Sequence, residues 1–139
     1  MHGHALPGVP VATNEAKYPL VIYSHGYQLT RTDNTRKVEN LASYGFIVVA
    51  ADHLNSYATV FPNGTLFRGL EAPSVSLGDP TIMSMATNRA DDVHFVLDQA
   101  AAWDAGDPVL GGHLDLDQVG IFGHSFGGGT SAAACALHT

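Results

Sequence analysis

The sequence predicts an α/β domain in which a parallel sheet lies between layers of helices. Three short apolar runs alternate with segments of helical periodicity, which gives the order strand–helix–strand–helix–strand–helix. Uninterrupted apolar runs are typical of parallel strands that are buried on both faces. The chain has 139 residues, of which 45% are apolar and 14% charged, so it can bury one core. We therefore treat residues 1–139 as a single domain.

The first half of the sheet comes from two apolar runs with a helix between them. Residues 20–23 form the first buried strand, and residues 46–51 form the second. The intervening residues 32–45 have an apolar stripe at helical spacing. Gly45 suits the left-handed position that ends many helices. The two strands are therefore joined by a helical crossover.

The second half of the chain begins with a long connection. Residues 53–80 are polar and rich in Gly and Pro, which predicts a functional or disordered loop. Its large apolar residues, which could form one wall of a cleft, are Tyr57, Phe61, Leu66 and Phe67. A second helix follows over 81–103, then a turn-rich loop over 106–118. Residues 119–124 form the third strand, and 126–139 open a third helix rich in small residues.

Composition excludes several classes of function. The formal net charge is −7 with six Lys and Arg residues, so neither a nucleic acid nor an anionic membrane is an expected partner. No apolar run approaches the roughly 20 residues of a membrane span. The single cysteine, Cys135, allows no internal disulfide and no Cys/His zinc pattern. We expect no metal and no cofactor.

The strongest motif is Gly123-His124-Ser125-Phe126-Gly127, between the third strand and the third helix. Gly-x-Ser-x-Gly in this context is a nucleophile elbow, a strained turn that lifts the serine hydroxyl above the sheet. The glycines permit close approach of strand and helix. The alternatives are a plain Gly-rich turn and a phosphate cradle. The chain lacks Gly-Lys-Ser/Thr, and no Gly-x-Gly-x-x-Gly follows the first strand, so a nucleotide site is disfavoured.

Other polar residues should lie beside this serine. The carboxyl ends of parallel strands meet at one edge of a sheet, where ligands bind. Residues 25–27 follow the first strand, residues 52–53 follow the second, and Ser125 follows the third. The sequence therefore predicts one site built from all three strand ends.

Three segments carry a family resemblance: YPLVIYSHGYQLTRTDNTRKVENLASYGFIVVAADH, NRADDVHFVLD and DQVGIFGHSFGGGTSAA. They resemble the α/β-hydrolase superfamily, in particular platelet-activating-factor acetylhydrolase-like and dienelactone-hydrolase-like esterases, with bacterial cutinases and polyester hydrolases related. The resemblance covers residues 18–137 and implies a partial α/β-hydrolase fold whose first strand here lies between the other two. It implies a serine carboxylic-ester hydrolase that forms an acyl-enzyme at Ser125 and acts on a small ester or lipid. The oxyanion donors would be the backbone N–H groups of Tyr27 and Phe126.

The same resemblance places the acid and the histidine of the triad after the nucleophile, in segments that this chain does not contain. His138 is a poor substitute, because thirteen helical residues separate it from Ser125 by roughly 20 Å. We therefore expect a truncated central portion of an esterase, with little or no turnover by itself. Its open sheet edges would favour self-association or pairing with another segment. The alternative is a short, catalytically impaired hydrolase-fold protein used for binding or assembly.

Three histidines at the predicted edge have alternative roles. His25 either acts as a general base or shapes the loop that carries Tyr27. His53 either acts as a general base or lines the cleft. A base needs hydrogen-bond reach to the serine and a third group that orients it. His124, the variable residue of the motif, either packs beside the site or has a direct role.

Three further residues have structural interpretations. Arg89 is expected to form an ion pair with Asp91 or Asp92, either on the surface of the second helix or as a tether for a loop. Asp52 is expected to make structural hydrogen bonds at its strand end. Cys135 is expected to be a small buried residue of the third helix.

Overall fold

A sheet of three parallel strands, ordered β2–β1–β5, lies at the centre of the computed structural model. The structure describes residues 4–53, 56–69 and 79–137. In chain order the elements are β1 (Tyr18–Ser24), α1 (Thr35–Ser43), β2 (Ile47–Ala51), β3 (Ala58–Val60), β4 (Leu66–Arg68), α2 (Pro80–Gly106), β5 (Leu114–Gly123) and α3 (Phe126–Leu137). The predicted α/β class and the central place of the first strand are confirmed.

The core lies between β1 and the two long helices α2 and α3. Alternate residues of a strand face opposite sides of the sheet, and Leu20 and Ile22 share the side that these helices cover. The main cluster of buried residues consists of Ile22, Ala90, Val93, Val96 and Ala134. Leu20 is enclosed in a second cluster with Ala100 and Leu114. Burial of these apolar side chains is the main force that fixes α2 and α3 on the sheet.

The opposite face of the sheet carries Tyr23, which is also buried. Its ring lies 4.9 Å from that of Phe122. Its hydroxyl donates to Asp33 Oδ2 at 3.0 Å and accepts from Asn34 Nδ2 at 2.7 Å, just before α1 begins. Helices therefore cover both faces. The helix α1 starts at Thr35, later than predicted, and its N-cap residue Asn34 makes no side-chain capping bond to it.

The outer strand β2 differs from the prediction of a strand buried on both faces. All five of its residues, Ile47–Ala51, are only half-buried. Within the described residues β2 pairs on one edge only, with β1, and β5 is the other outer strand. Self-association through these edges stays a prediction.

The predicted loop over 53–80 contains a two-stranded antiparallel hairpin of β3 and β4, which the sequence reading missed. Phe61 N donates to Thr65 O at 3.0 Å, and Gly64 has a φ of +82° in the turn. Asn-Gly between apolar runs is a strong signal for a hairpin, so Asn63-Gly64 could have revealed it. Residues 54–55 and 70–78 of the predicted loop lie outside the described residues.

The third strand begins at Leu114, five residues before the predicted start, so the assignment of 106–118 as a loop was wrong in part. The pairing with β1 is interrupted: Pro19 lies opposite Asp115, but Leu20 lies opposite Val119. Proline has no N–H to give to a ladder, which favours an irregularity at this point. Residues 116–118 are accommodated as a bulge.

Leu20→Ala should lower the free energy of unfolding by about 2–5 kcal/mol. Leu20 is 0% exposed, so truncation leaves a cavity in a cluster that includes Ala100 and Leu114. Urea denaturation monitored by circular dichroism measures the change. Leu6→Ala is the control, since Leu6 is 72% exposed and its truncation should change stability by less than about 0.5 kcal/mol. Equal effects of the two substitutions would contradict the assigned core.

Candidate active site

Ser125 lies in a tight turn between the end of β5 and the start of α3. Its φ is +52°, a left-handed conformation that residues other than glycine rarely adopt. His124 N donates to Ser24 O at 3.2 Å, and Gly127 N donates to His124 O at 2.8 Å. These bonds hold the turn against the end of β1. The strained backbone predicted for the serine is therefore present.

Two glycines of the motif lie where no side chain fits. A Cβ added to Gly123 would lie 2.2 Å from the carbonyl carbon of Gly127. A Cβ added to Gly127 would lie 2.0 Å from Ser24 O. Such distances are far below van der Waals contact, so strand, turn and helix meet backbone to backbone. This contact is the physical reason for small residues on both sides of Ser125.

The loop after β1 lies directly against this turn. A Cβ on Gly26 would be 3.1 Å from His124 Nδ1. Gln28 has a φ of +53°, which is a second strained non-glycine position beside the first. The rings of Tyr27 and Phe126 make an edge contact at 5.9 Å between centroids. The structure thus brings together the two residues predicted to supply oxyanion donors.

Arg89 is buried in α2, so its predicted place on the helix surface was wrong. It is 1% exposed, and Nη1 donates to His25 O at 2.8 Å. The guanidinium carbon lies 4.8 Å above the Phe126 ring, a cation–π contact. Burial lowers the pKa of Arg89 to about 10, which leaves it charged at neutral pH. Its position four residues before Val93, on the buried side of α2, could have indicated this role.

His53 is buried and joins two residues that the sequence reading did not place in the site. Its Nδ1 lies 2.7 Å from Asp92 Oδ2, and its Nε2 lies 2.9 Å from Ser24 Oγ. A carboxylate accepts, so Nδ1 carries the proton and Nε2 accepts from the serine hydroxyl. Ser24, His53 and Asp92 thus form a hydrogen-bonded chain with the order of a catalytic triad. Ser24 and His53 are buried, however, so the serine hydroxyl is internal to the fold, whereas Asp92 is half-exposed.

His25 is fully buried beneath the loop that it precedes. Nδ1 lies 2.7 Å from Gly26 O, and Nε2 lies 2.8 Å from Ser56 Oγ. Burial lowers the pKa of His25 to about 4, and the nearby positive charge of Arg89 acts in the same direction. The imidazole is therefore neutral at physiological pH. Both ring nitrogens of His25 and of His53 are engaged in hydrogen bonds within the fold.

His124 and Asp52 each lie close to another charged residue. His124 is half-exposed, with Nδ1 3.4 Å from Asp33 Oδ2. Asp52 accepts from Arg31 N at 2.6 Å and forms an ion pair with the Arg31 guanidinium, so its predicted structural role is confirmed. Arg31 also donates to Val60 O at 3.1 Å, which links this strand end to the hairpin.

Several other residues differ from expectation or carry no site. Cys135 is exposed, contrary to the prediction, because its neighbour Ala134 takes the core-facing position of α3. His138 lies outside the described residues. Across residues 4–53, 56–69 and 79–137, no group of three potential metal ligands converges. In the same part of the chain, no helix combines the length and hydropathy that membrane crossing requires.

The fold and this turn define a class of protein. A parallel sheet with helices on both faces, and a strained Gly-x-Ser-x-Gly turn at its carboxyl edge, is the arrangement of an α/β-hydrolase. A ferulic acid esterase from Streptomyces cinnamoneus has a similar structure, with a TM-score of 0.68 and 30% identity over 86% of this chain and 33% of that one.

The chain belongs to the platelet-activating factor acetylhydrolase, isoform II family, whose model matches residues 4–73. The platelet-activating factor acetylhydrolase of Cavia porcellus is 31% identical over 87% of this chain and 32% of its own length. A probable 1-alkyl-2-acetylglycerophosphocholine esterase of Arthroderma benhamiae is 30% identical over 79% of this chain and 26% of its own. The chain thus spans about a third or less of the length of these relatives.

Gly127→Ala should destabilise the protein by about 1–3 kcal/mol or more, because the new methyl group overlaps Ser24 O and forces the backbone apart. Gly129→Ala in the same helix is the matched control. No atom lies within 4 Å of its added Cβ, and alanine is the better helix former by about 0.5–1 kcal/mol. Thermal unfolding should therefore shift in opposite directions. A shift in the same direction would contradict the close contact.

The free energy of unfolding should fall as the pH is lowered from about 7 to about 4.5. His25 titrates near 6.5 when unfolded, but its pKa in the folded protein is about 4. The unfolded state therefore binds more protons in this window, and stability present above pH 6.5 is lost on acidification. The loss due to His25 is on the order of 2 kcal/mol. Urea denaturation across the window should show a smaller slope for His25→Asn, and an unchanged slope would contradict the assignment.

Proposed function

We propose that this chain carries the nucleophile and the oxyanion donors of a serine carboxylic-ester hydrolase. The Ser125 hydroxyl oxygen attacks the ester carbonyl, and the alcohol leaves when the tetrahedral intermediate collapses. Water then attacks the resulting acyl-enzyme, which releases the carboxylic acid and restores the serine. The observation that carries the proposal is the conformation of Ser125. Its φ of +52° projects the hydroxyl from a turn that close backbone contact holds rigid.

The backbone N–H groups of Tyr27 and Phe126 are proposed to stabilise the negative oxygen of that intermediate. Phe126 is the first residue of α3, so its N–H has no acceptor within the helix and lies at the positive end of the helix dipole. Tyr27 comes from the adjoining loop, and its ring contacts that of Phe126. Donors held in place before the reaction stabilise charge without reorganisation, which is their advantage over water.

The base and the acid are proposed to come from parts of the full-length protein that follow Ser125. In this fold the chain order is nucleophile, acid, histidine. The described histidines at the edge have other partners: His25 is bound to Gly26 O, and His53 is bound to Asp92. His25 and His53 therefore serve the loop and the sheet rather than the hydroxyl of Ser125.

The proposed substrate is a small ester or an ester lipid. Two relatives are named for platelet-activating factor and for 1-alkyl-2-acetylglycerophosphocholine, and the similar structure is named for ferulic acid. All of these names describe carboxylic esters or the acid part of one. The hairpin is tied to the Tyr27 loop, since Tyr57 N donates to Leu29 O at 3.1 Å. Its exposed apolar side chains, proposed as one wall of the substrate cleft, are Tyr57, Val60, Phe61, Leu66 and Phe67.

Ser125→Ala in the full-length protein should reduce hydrolysis of p-nitrophenyl acetate and butyrate by at least about 10³-fold, because no acyl-enzyme can form. Covalent labelling by a fluorophosphonate probe should disappear as well. Ser43→Ala is the control, since Ser43 ends α1 and its hydroxyl donates to Asn40 O, away from the site. Unchanged turnover in Ser125→Ala would refute the assigned nucleophile.

A further inference from the structure

We propose that His25 is a positioning residue, whose ring fixes the Gly26–Tyr27 peptide so that the Tyr27 N–H is presented to the oxyanion. The inference rests on the proposed ester hydrolysis and adds a residue that itself contacts no substrate. His25 is 0% exposed, so it acts on the reaction only through the loop above it. Three observations carry the proposal: the tautomer of the ring, the planarity of the peptide, and the attachment of the loop on its buried side.

The hydrogen bonds of the ring define a single tautomer. The backbone N–H of His53 points at His25 Nε2 over 3.3 Å, and a backbone N–H can only donate. Nε2 is therefore unprotonated and also accepts from Ser56 Oγ at 2.8 Å. The one proton of the neutral ring must lie on Nδ1. That nitrogen donates to Gly26 O over 2.7 Å.

This bond sets the direction of the Tyr27 amide. In a trans peptide the C=O and the following N–H lie in one plane and point in opposite directions. Gly26 O is held from the buried side by His25 Nδ1 and also accepts from Leu29 N at 3.2 Å. The Tyr27 N–H must then point away from His25. The outward side is where Gly26 lies against His124, the residue before Ser125.

Both the ring and the backbone carbonyl of His25 are hydrogen-bonded, so the ring is held in a fixed position. Its own carbonyl accepts from Arg89 Nη1, and the same guanidinium lies above the Phe126 ring. The buried Arg89 therefore connects the loop that carries Tyr27 with Phe126, the residue proposed to supply the second oxyanion donor. His53, which supplies the N–H to Nε2, is in turn held by Asp92 and Ser24. The loop is supported by α2 as well as by the sheet.

The charged and titratable groups facing the ring favour its neutral form. Arg89 on α2 opposes a positive charge on His25, and protonation of His53 after β2 would oppose it further, whereas Asp52, which pairs with Arg31, favours one. Protonated Nε2 would also face the His53 N–H, donor against donor. A protonated ring therefore loses the arrangement that holds Gly26 O.

Two near-isosteric variants test the inference in the full-length protein. His25→Leu has no donor, so Gly26 O is released, and kcat for p-nitrophenyl acetate should fall by about 10²–10³-fold with KM changed by less than about threefold. His25→Asn offers an amide N–H near the position of Nδ1 and should recover kcat to within about tenfold of wild type. Ser56→Ala, which leaves the His53 N–H on Nε2, is the control and should keep wild-type kcat.

A transition-state mimic separates positioning from general damage. A trifluoromethyl ketone forms a tetrahedral oxyanion adduct with an active-site serine, so its inhibition constant should rise in His25→Leu by the same factor by which kcat falls. Equal loss of kcat in His25→Leu, His25→Asn and Ser56→Ala would overturn the proposal, because it would indicate loss of packing. Wild-type kcat in a folded His25→Leu protein would overturn it too.

The tautomer can be measured without any substitution. Nitrogen-15 NMR of the wild-type ring should show a protonated Nδ1 and a bare Nε2 between about pH 5 and 7. A protonated Nε2 in that range would overturn the inference even if His25→Leu failed to fold. Failure of the proposed function can be distinguished from failure of this inference. If Ser125 is not the nucleophile, Ser125→Ala keeps its turnover, whatever the tautomer of His25.

Discussion

The contact between Gly127 and the backbone of Ser24 is the constraint on which the site depends. A Cβ on Gly127 would lie 2.0 Å from Ser24 O, so the first turn of α3 rests directly on the end of β1. The same carbonyl accepts the His124 N–H. Since β1 continues into the loop that carries Tyr27, this single approach sets the distance between the loop and Ser125. Any residue larger than glycine would separate the two halves of the site.

Beneath this contact the buried Arg89, His25 and His53 are joined by hydrogen bonds to each other's backbone or ring, and the half-exposed Asp92 ends the network. Arg89 and Asp92 lie one turn apart on α2 and bind opposite sides of the strand ends: Arg89 takes His25 O, and Asp92 takes the His53 ring. Buried polar groups are costly when unpaired and rigid when paired, because the surroundings have a low dielectric constant. One helix therefore orients both strand ends and the loops that follow them.

The sequence was sufficient for the features that follow from local pattern. Apolar runs and helical spacing predicted the strand and helix order, and Gly123 to Gly127 predicted the strained turn. The parts that were missed depend on contacts distant in sequence. The helical pattern alone places Arg89 on the surface, because its contacts with His25 O and Phe126 involve residues distant in sequence. Ser24 is linked to Asp92 through His53 only in the folded protein, where β1 and β2 lie beside α2. The early start of β5 comes from the pairing of Leu114 and Asp115 with Tyr18 and Pro19, which no pattern within β5 reveals.

The bulge opposite Pro19 takes up three residues of β5 without changing the strand pairing that leads to Ser125. From Leu20 to Ser24 the pairing with β5 is continuous, so Gly123 stays level with Ser24 whatever precedes Val119. The bulge closes on itself, because Asp115 accepts from Asp117 N at 3.2 Å and from Gln118 Nε2 at 2.6 Å. Residues 116–118 are thus accommodated without changing the pairing from Leu20 to Ser24. The continuous pairing of Leu20–Ser24 with Val119–Gly123 thus fixes the position of Ser125 relative to β1 independently of the bulge.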